Sequence, residues 1–259
     1  MKAVLITGAC INTGVAIVEK FASEGYNIVF TGRDQEKVRA KEREYRSKFK
    51  DAHIIGYSVD SLIDERTVDE KTVENLFADL DERGIFVETL VLNAADQGLG
   101  QRIFENPLTD FMKVINTNVV WNYCLSEHAS KRMMRNGGGN IVFVNSNTAY
   151  RAIPDRAAYV ASKGGQLGLM RALAIDLGKY NIRVNAVLPG MIRTDRWEKN
   201  PDFYKNVPSR FTPIGDVADG EDIADAVYYF AAHARNTTGA ELVVDGGNTV
   251  QLYPIIPKE

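Results

Sequence analysis

The chain has 259 residues, 45% hydrophobic, 25% charged and 9% aromatic, which is the composition of a globular protein and excludes a disordered or low-complexity one. Its 31 Lys and Arg residues against 34 Asp and Glu give a net charge of -3, so nucleic acid is not an expected partner. Two cysteines are too few for a disulfide framework, and no apolar run suits a signal peptide or a membrane helix. We therefore expect a cytoplasmic protein that does not bind membranes. We also expect a single domain over residues 1–259.

Short runs rich in Val and Ile alternate with longer segments of helical period. The predicted strands are Ala3–Ile6, Asn27–Phe30, His53–Val59, Val87–Leu92, Asn140–Val144, Arg183–Leu188 and Glu241–Val244. The predicted helices are Thr13–Glu24, Asp34–Phe49, Glu65–Arg83, Asp110–Arg135, Ala157–Tyr180 and Asp219–Ala232. The alternation predicts an α/β fold, a doubly wound, Rossmann-like parallel sheet of about seven strands with helices on both faces. The irregular stretch over 190–216 is typical of a lid over a site.

A turn that contains two glycines follows the first strand. Residues 7–14 (TGACINTG) join that strand to the first helix, where backbone N–H groups face an anion at the positive end of the helix. Gly8 suits the tight turn and Gly14 the close packing of helix on strand. The middle position, where glycine is usual, holds Asn12, which tolerates the left-handed backbone conformation. The turn predicts a phosphate site at Gly8, Asn12, Thr13 and Gly14, although an ordinary βα turn fits two glycines equally well.

The end of the second strand indicates which dinucleotide such a site would take. An acidic residue near this position selects NAD, and a nearby arginine selects NADP. Here Gly32 stands at the acidic position and Arg33 follows it. A guanidinium binds a 2′-phosphate through charge-assisted hydrogen bonds, so NADP(H) is favoured over NAD(H). The alternative is a surface arginine that pairs with Asp34.

A tyrosine and a lysine stand one helical turn apart in the segment YVASK. Tyr159 and Lys163 share one helix face, Ser146 lies thirteen residues before the tyrosine, and Asn118 lies on the preceding long helix. This set resembles the short-chain dehydrogenase/reductase family, and the resemblance runs from Met1 to about Gly247. It is also carried by Asn93, Ala94 and Ala95 after the fourth strand, by PGMIRT over 189–194 and by VVDGG over 243–247.

The resemblance implies an oxidoreductase that interconverts a ketone and a secondary alcohol. Tyr159 would be the proton donor or acceptor, Lys163 would lower its pKa and bind the nicotinamide ribose, and Ser146 would hold the substrate oxygen. Asn118 would hold a water that links Lys163 to solvent. Lowering a phenol pKa from ~10 to near 7 takes about 4 kcal/mol of preferential phenolate stabilisation, much of which a cation within about 4–6 Å supplies.

Further cofactor contacts follow from the same resemblance. Expected are Asp60 at the adenine ring, Asn93 near the adenine ribose, Ile192 at the nicotinamide, and Thr194 at the nicotinamide amide or the phosphates. Pro189 is expected to bind the cofactor as well. The chain departs from the family pattern at two places. Asn12 replaces a glycine of the turn, and LNAA over 92–95 replaces Asn-Asn-Ala-Gly.

The residues after Ser146 bear on the substrate. Asn147, Thr148, Tyr150 and Arg151 are polar, which favours a sugar- or polyol-like compound, with 3-oxoacyl compounds and hydroxysteroids left open. The His and Cys residues have no metal-binding spacing, so no metal is expected. Cys10 lies just before a helix N-terminus, where a thiol pKa falls, but an inert small residue is the favoured interpretation.

Two interpretations compete with the enzymatic one. A non-catalytic NADP-binding sensor fits the altered glycine and Asn-Asn-Ala-Gly motifs, but it has no use for the set of Ser146, Tyr159 and Lys163. A sugar-nucleotide epimerase or dehydratase shares the Tyr-x-x-x-Lys motif and is expected to need a further substrate domain. The helices over 110–135 and 157–180 carry more apolar surface than one sheet face needs, and the resemblance implies a homo-oligomer, tetramer or dimer.

Overall fold

Parallel strands with buried Val, Ile and Leu side chains form the centre of the molecule. The computed structural model describes residues 1–98, 100, 102–199, 201 and 210–254. The strands there are β1 Lys2–Ile6, β2 Ile28–Gly32, β3 Ile54–Ser58, β4 Leu62–Asp64, β5 Thr67–Val68, β6 Phe86–Leu92, β7 Gly139–Val144, β8 Ile182–Pro189 and β9 Glu241–Val244. Seven of them form one sheet in the order β3-β2-β1-β6-β7-β8-β9, with every neighbouring pair parallel.

Helices cover both faces of this sheet. They are α1 Asn12–Ser23, α2 Gln35–Lys48, α3 Glu70–Glu82, α4 Leu108–Ile115, α5 Trp121–Arg135, α6 Ala157–Gly178, α7 Asp195–Lys199 and α8 Gly220–Tyr228. A π-helical turn, Asn116–Val120, joins α4 to α5, and a second one, Tyr229–His233, continues α8. One apolar core packs the sheet against α3, α5 and α6, and the other packs it against α1, α2 and α8. The predicted doubly wound fold is confirmed.

The strand order places a crevice at the carboxyl ends of β1 and β6. From β1 the chain runs outward to β2 and β3, then returns to β6 on the other side of β1. In open α/β sheets ligands bind at such a reversal, because the two loops diverge there. The turn after β1, which holds Gly8 and Gly14, therefore lies at the position where a dinucleotide would bind.

The prediction of a helix from Glu65 was wrong over its first residues. Leu62–Asp64 and Thr67–Val68 instead form a small antiparallel hairpin. The Asp64 carboxylate accepts a hydrogen bond from the Arg66 backbone N–H at 2.8 Å, and Asp69 caps α3 by accepting from the Thr72 N–H at 2.9 Å. Such local bonds from Asp to the backbone compete with helix formation, so α3 begins only at Glu70.

The predicted lid over 190–216 falls partly outside the described residues, which omit 200 and 202–209. The first residues of this segment contact the residues that precede α8. Ile192 forms a parallel bridge with Ala218, and the Arg193 guanidinium pairs with Asp216 at 2.6 Å and Asp219 at 3.2 Å. The short helix α7 follows within this segment.

A buried tyrosine supports the turn after β1, and its removal is a test of the fold. Tyr45 is 0% exposed, its hydroxyl donates to the Ala9 carbonyl at 2.8 Å, and burial raises its pKa far above the ordinary value. We predict that Tyr45→Phe lowers the free energy of unfolding by about 1–3 kcal/mol, because it leaves a buried acceptor without its donor.

Urea unfolding followed by circular dichroism measures this change. The matched control is Tyr229→Phe, since Tyr229 is 47% exposed and should change stability by less than about 0.5 kcal/mol. Equal effects of the two substitutions would contradict a role for the Tyr45 hydroxyl.

Candidate active site

The turn after β1 leaves an uncapped helix N-terminus. The residue before α1 is Ile11, which makes no side-chain capping bond, and the first turn of α1 holds no acidic residue. A Cβ added to Gly8, whose φ is +66°, would lie 2.9 Å from the Ala94 Cα, and one added to Gly14 would lie 2.3 Å from the Gly8 carbonyl oxygen. Free N–H groups at the positive end of a helix, approached by a glycine turn, fit the phosphates of a dinucleotide.

The middle position of the turn takes the conformation that glycine would take. Asn12 has a φ of +47°, so it meets the backbone requirement of the turn at a modest cost. A cavity of about 260 Å³ opens beside it and is lined by Asn12 and Thr13, by Arg193 and Thr194, and by Gly220 of α8. Acidic side chains line it too, namely Glu19, Asp195, Asp219 and Glu221. The structure thus brings together Asn12, Thr13 and Thr194 of the predicted cofactor residues.

Asn93 holds the turn from the neighbouring strand. Its side-chain amide donates to the carbonyls of Thr7 at 3.0 Å and Gly8 at 3.1 Å. In return the Thr7 hydroxyl accepts from the backbone N–H groups of Asn93 and Ala94, both at 3.0 Å. The ends of β1 and β6 are therefore fixed to each other, a structural role that the predicted contact with the adenine ribose did not include.

Arg33 is exposed at the end of β2, and its guanidinium has no hydrogen bond or ion pair within the described ranges. Asp34 does not pair with it but caps α2, accepting from the N–H groups of Glu36 at 2.9 Å and Lys37 at 3.0 Å. The alternative of an Arg33–Asp34 pair is therefore not formed. Asp60, which was expected at the adenine ring, is exposed after β3, and its carboxylate accepts from the Leu62 N–H at 3.4 Å.

Cys10 packs under Gly32. A Cβ at Gly32 would lie 2.5 Å from the Cys10 sulfur, so a larger residue there would require the Cys10 side chain to shift. Burial raises the pKa of the Cys10 thiol, although the nearby Lys41 acts in the opposite direction. Cys10 is thus a protonated packing residue rather than an activated thiol.

The serine, tyrosine and lysine that the sequence analysis identified lie together at the carboxyl end of β7. Ser146 begins the short helical turn after that strand and accepts from the Thr148 N–H at 3.2 Å and the Thr148 hydroxyl at 3.0 Å. The Ser146 side chain also lies close enough to the Tyr159 phenol to lower the pKa of that phenol against the effect of burial. On the same helix the Lys163 Nζ lies 5.5 Å from the centroid of the Tyr159 ring.

Burial acts on both titratable groups of this cluster. Lys163 is 1% exposed, and burial lowers the pKa of its ammonium to about 7. Burial also raises the pKa of the Tyr159 phenol, an effect that the Ser146 hydrogen bond and the Arg156 charge reduce but do not cancel. The expected fall of the Tyr159 pKa is therefore not found in this structure. Since each charged form alone is desolvated, phenolate and ammonium favour each other as a coupled pair.

Asn118 lies fully buried in the π-turn between α4 and α5. Its side chain accepts from the Asp96 N–H at 2.7 Å and donates to the Asp96 carbonyl at 2.8 Å and the Ser162 hydroxyl at 2.9 Å. Its backbone carbonyl accepts from the side-chain amide of Gln166 at 2.7 Å. Sequence reasoning missed Gln166, and the available signal was an amide three residues after Lys163, on the face that α6 buries.

The residues predicted at the nicotinamide follow β8. Pro189 ends that strand, and Gly190 comes so close to β9 that a Cβ on it would lie 2.6 Å from the Asp245 Cβ. Ile192 is half-buried against α8, and the Thr194 carbonyl accepts from the Trp197 N–H at 2.8 Å at the start of α7. The Asn147 amide donates to the Asp245 carboxylate at 3.3 Å, which ties the end of β7 to that of β9.

The described residues offer neither a metal-binding cluster nor a membrane-spanning helix. No three side chains of His, Cys, Asp or Glu in that part of the chain are grouped so that they would hold a metal ion. No helix there combines the length and apolar character needed to cross a membrane.

The family model described as enoyl-(acyl carrier protein) reductase matches residues 8–249. A Thermotoga maritima protein described as an uncharacterized oxidoreductase is 33% identical over 258 residues, 97% of each chain. The 3-oxoacyl-[acyl-carrier-protein] reductase MabA of Mycobacterium tuberculosis is 30% identical over 249 residues, which cover 95% of this chain and 92% of MabA.

Solved structures agree with these matches. A putative gluconate dehydrogenase from Agrobacterium tumefaciens superposes with a TM-score of 0.87 at 31% identity, over 97% of each chain. The L-sorbose reductase of Gluconobacter frateurii, solved with NADPH and L-sorbose, gives 0.87 at 26% identity, again over 97% of each chain. Since the matches extend over nearly the whole sequence, this chain belongs to the short-chain dehydrogenase/reductase family and acts on CH–OH groups with a nicotinamide dinucleotide.

Proposed function

We propose that this enzyme interconverts a ketone and a secondary alcohol with NADP(H), and that Tyr159 is its acid and base. The observation that carries the proposal is the position of the Lys163 Nζ, 5.5 Å from the centroid of the Tyr159 ring, with the Ser146 side chain close enough to the phenol to lower its pKa against the effect of burial. A proton donor, a neutral hydrogen-bond donor and a cation thus meet at one strand end. This is the set of groups that carbonyl reduction requires.

The dinucleotide, when bound, supplies or accepts the hydride. In reduction Tyr159 transfers its phenolic proton to the carbonyl oxygen, and Ser146 donates a hydrogen bond to the same oxygen as negative charge develops on it. In oxidation the Tyr159 phenolate takes the proton of the alcohol. Because the phenolate is costly in this buried place, the ammonium of Lys163 stabilises it during the reaction.

NADP(H) as the preferred dinucleotide is supported by the end of β2. The Arg33 guanidinium carries no partner among the described residues, so it is available to a 2′-phosphate. The position of a competing acid is taken by Gly32, where an added side chain would require the Cys10 side chain to shift. The L-sorbose reductase that this chain resembles was solved with NADPH.

The polar residues after Ser146 support a sugar- or polyol-like substrate. Asn147 and Thr148 are each 8% exposed, and the Arg151 guanidinium donates to the carbonyls of Asn248 and Gln251. The segment that follows Ser146 is therefore polar rather than apolar. Sugar-related substrates also appear in the names of the solved relatives, whereas MabA acts on 3-oxoacyl groups, and hydroxysteroids remain a third class.

A non-catalytic NADP-binding sensor is the second candidate function, because two motifs of the family are altered. Asn12 nevertheless takes the left-handed conformation that the turn needs, so the turn keeps the backbone geometry that a phosphate site would require. The buried Lys163 beside Tyr159 would cost a sensor stability without serving it. The enzymatic proposal is therefore favoured.

We further propose that the protein is a homo-oligomer that assembles through α5 and α6. Exposed apolar side chains lie on these helices, including Tyr123 at 51% and Ile175 at 83%. Gly164 and Gly168 are exposed on α6, and a Cβ added at either would meet nothing within 4 Å. Close approach of a second helix is thus sterically open. A cytoplasmic location stays a prediction from the sequence.

Substitution of the tyrosine tests its chemical role. We predict that Tyr159→Phe folds and binds NADPH as the unaltered protein does but loses about 10²–10⁴-fold in kcat, which is the usual contribution of an acid-base group. Steady-state kinetics and NADPH fluorescence titration measure the two quantities, with Tyr229→Phe as the control. Turnover close to that of the unaltered enzyme would refute the assignment.

Substitution of the arginine tests the choice of dinucleotide. We predict that Arg33→Ala raises the Kd for NADPH by about 10–100-fold, the effect of losing a hydrogen bond between charged groups, and leaves the Kd for NADH unchanged. Arg39→Ala is the matched control, because Arg39 is exposed on α2 and its loss changes the net charge equally. An unaltered enzyme that prefers NADH would show the interpretation of Arg33 to be wrong.

A substrate panel tests the proposed class. Ketoses, 3-oxoacyl thioesters, quinones and oxosteroids are compared by the rate of NADPH consumption under the same conditions. We predict the highest kcat/KM for a ketose, because the segment that follows Ser146 is polar. A higher kcat/KM for a thioester or a steroid would refute the sugar-like substrate class and assign that other class to the enzyme.

A further inference from the structure

A buried glutamine stands between the active-site lysine and the π-turn that precedes α5. Gln166 is 1% exposed, and its side-chain oxygen accepts from the Lys163 Nζ and from the Asn145 amide, both at 3.1 Å. Its side-chain nitrogen donates to the backbone carbonyl of Asn118 at 2.7 Å. Three of the four hydrogen-bonding positions of this amide are thus used within the active site.

The hydrogen bonds of Lys163 leave one N–H of its ammonium available. An ammonium has three donors, and the Val144 carbonyl at 3.1 Å and the Gln166 oxygen at 3.1 Å take two of them. The two acceptors fix where the nitrogen lies relative to Tyr159. The third donor is then free for a hydroxyl of the nicotinamide ribose, the contact expected for this lysine.

The same amide connects Lys163 to the serine of the site. Asn145 donates to the Gln166 oxygen at 3.1 Å and to the Lys163 backbone carbonyl at 3.0 Å. Its own side-chain oxygen accepts from the Ser146 N–H at 2.6 Å. A displacement of the Gln166 side chain would therefore affect the positions of both the Lys163 ammonium and the Ser146 backbone.

The π-turn brings a backbone carbonyl into this network. The Trp121 N–H reaches back five residues to the Asn116 carbonyl, which widens the helix at this point. The Asn118 carbonyl accepts from the Gln166 nitrogen. The Gln166 side chain thus links the Asn118 carbonyl directly to the acceptor of the Lys163 ammonium.

We propose that Gln166 is a positioning residue that fixes the Lys163 ammonium beside Tyr159 and holds it in the charged form, anchored in turn on the Asn118 carbonyl. The proposal rests on the function proposed above for Lys163. The partners that α6, β7 and the π-turn present to this network are the Tyr159 phenol and otherwise neutral groups, namely Val144, Asn145, Asn118 and Gln166 itself. A neutral amide and a backbone carbonyl are therefore the two acceptors that support this buried charge.

The charge of Lys163 is sensitive to this support, because burial has already lowered its pKa to about 7. Gln166→Leu removes an acceptor from the ammonium, so we expect the Lys163 pKa to fall by about one unit or more. Gln166→Glu keeps the side-chain shape and adds an opposite charge, so the Lys163 pKa should rise by about one unit or more.

The experiment is an NMR titration of the unliganded protein labelled at the lysine ε-carbon. Lys163→Met identifies the signal by its disappearance. Asn185→Leu is the matched control, because Asn185 is an equally buried amide that bonds to Thr237 and Ala240, and its loss should leave the Lys163 pKa unchanged.

Opposite shifts in the two Gln166 variants support the proposal, since a merely structural defect would move the Lys163 pKa in one direction. Shifts below about 0.3 unit in both variants, or shifts of the same sign, would overturn it. If Gln166→Leu fails to fold, Gln166→Glu decides alone: a raised Lys163 pKa supports the proposal and an unmoved one refutes it.

The pH profile of alcohol oxidation supplies a second readout. When a smaller fraction of Lys163 is protonated, the Tyr159 phenolate is harder to form. The rising limb of the pH profile should therefore move to higher pH in Gln166→Leu and to lower pH in Gln166→Glu. The reverse order would count against the proposal. The titration itself needs neither substrate nor dinucleotide, so an unaltered protein that turns over no carbonyl compound would refute the proposed function and leave the result on Gln166 standing.

Discussion

The site depends on an ammonium that is buried beside a phenol. Lys163 has almost no contact with solvent, and burial works against its charged form and against that of Tyr159. Water would stabilise either ion, but here each must be stabilised by protein groups or by the other ion. The surrounding sheet and helices offset the desolvation free energy of the Lys163 ammonium, because they hold the Val144 carbonyl and the Gln166 amide in place as its acceptors.

The second constraint is the reversal of strand order between β1 and β6. The loops that diverge there are joined by reciprocal hydrogen bonds of Thr7 and Asn93, and the Tyr45 hydroxyl holds the turn from the side of α2. The N-terminus of α1 is left without a capping side chain, so its N–H groups remain available to an anion. A phosphate site requires an uncapped helix N-terminus held in place by rigid neighbouring loops.

Much of this arrangement could be predicted from the sequence, and the rest could not for physical reasons. Strand positions and the Tyr159–Lys163 pair follow from local periodicity, which the sequence displays directly. The hairpin over 62–68 depends on which of several polar residues bonds to the backbone, and a helical pattern does not reveal that choice. Gln166 acquires its role only through contacts with residues 21 and 48 positions away in the chain.

The directions of the pKa shifts were also beyond sequence reasoning. One helical turn between Tyr159 and Lys163 suggested that a cation would acidify the phenol. The degree of burial, which depends on tertiary packing, proved the larger effect on both groups. The freedom of the Arg33 guanidinium likewise became visible only when Asp34 was seen to cap α2.

The contact between Cys10 and Gly32 couples the effects of substitutions at these two positions. Introducing an acid by Gly32→Asp would place its Cβ 2.5 Å from the Cys10 sulfur and 2.9 Å from a Val38 methyl group, so these two side chains would have to shift. A smaller residue at position 10 would remove the closer of the two contacts. An acid at position 32 would therefore be accommodated more easily after a substitution at position 10 than before it.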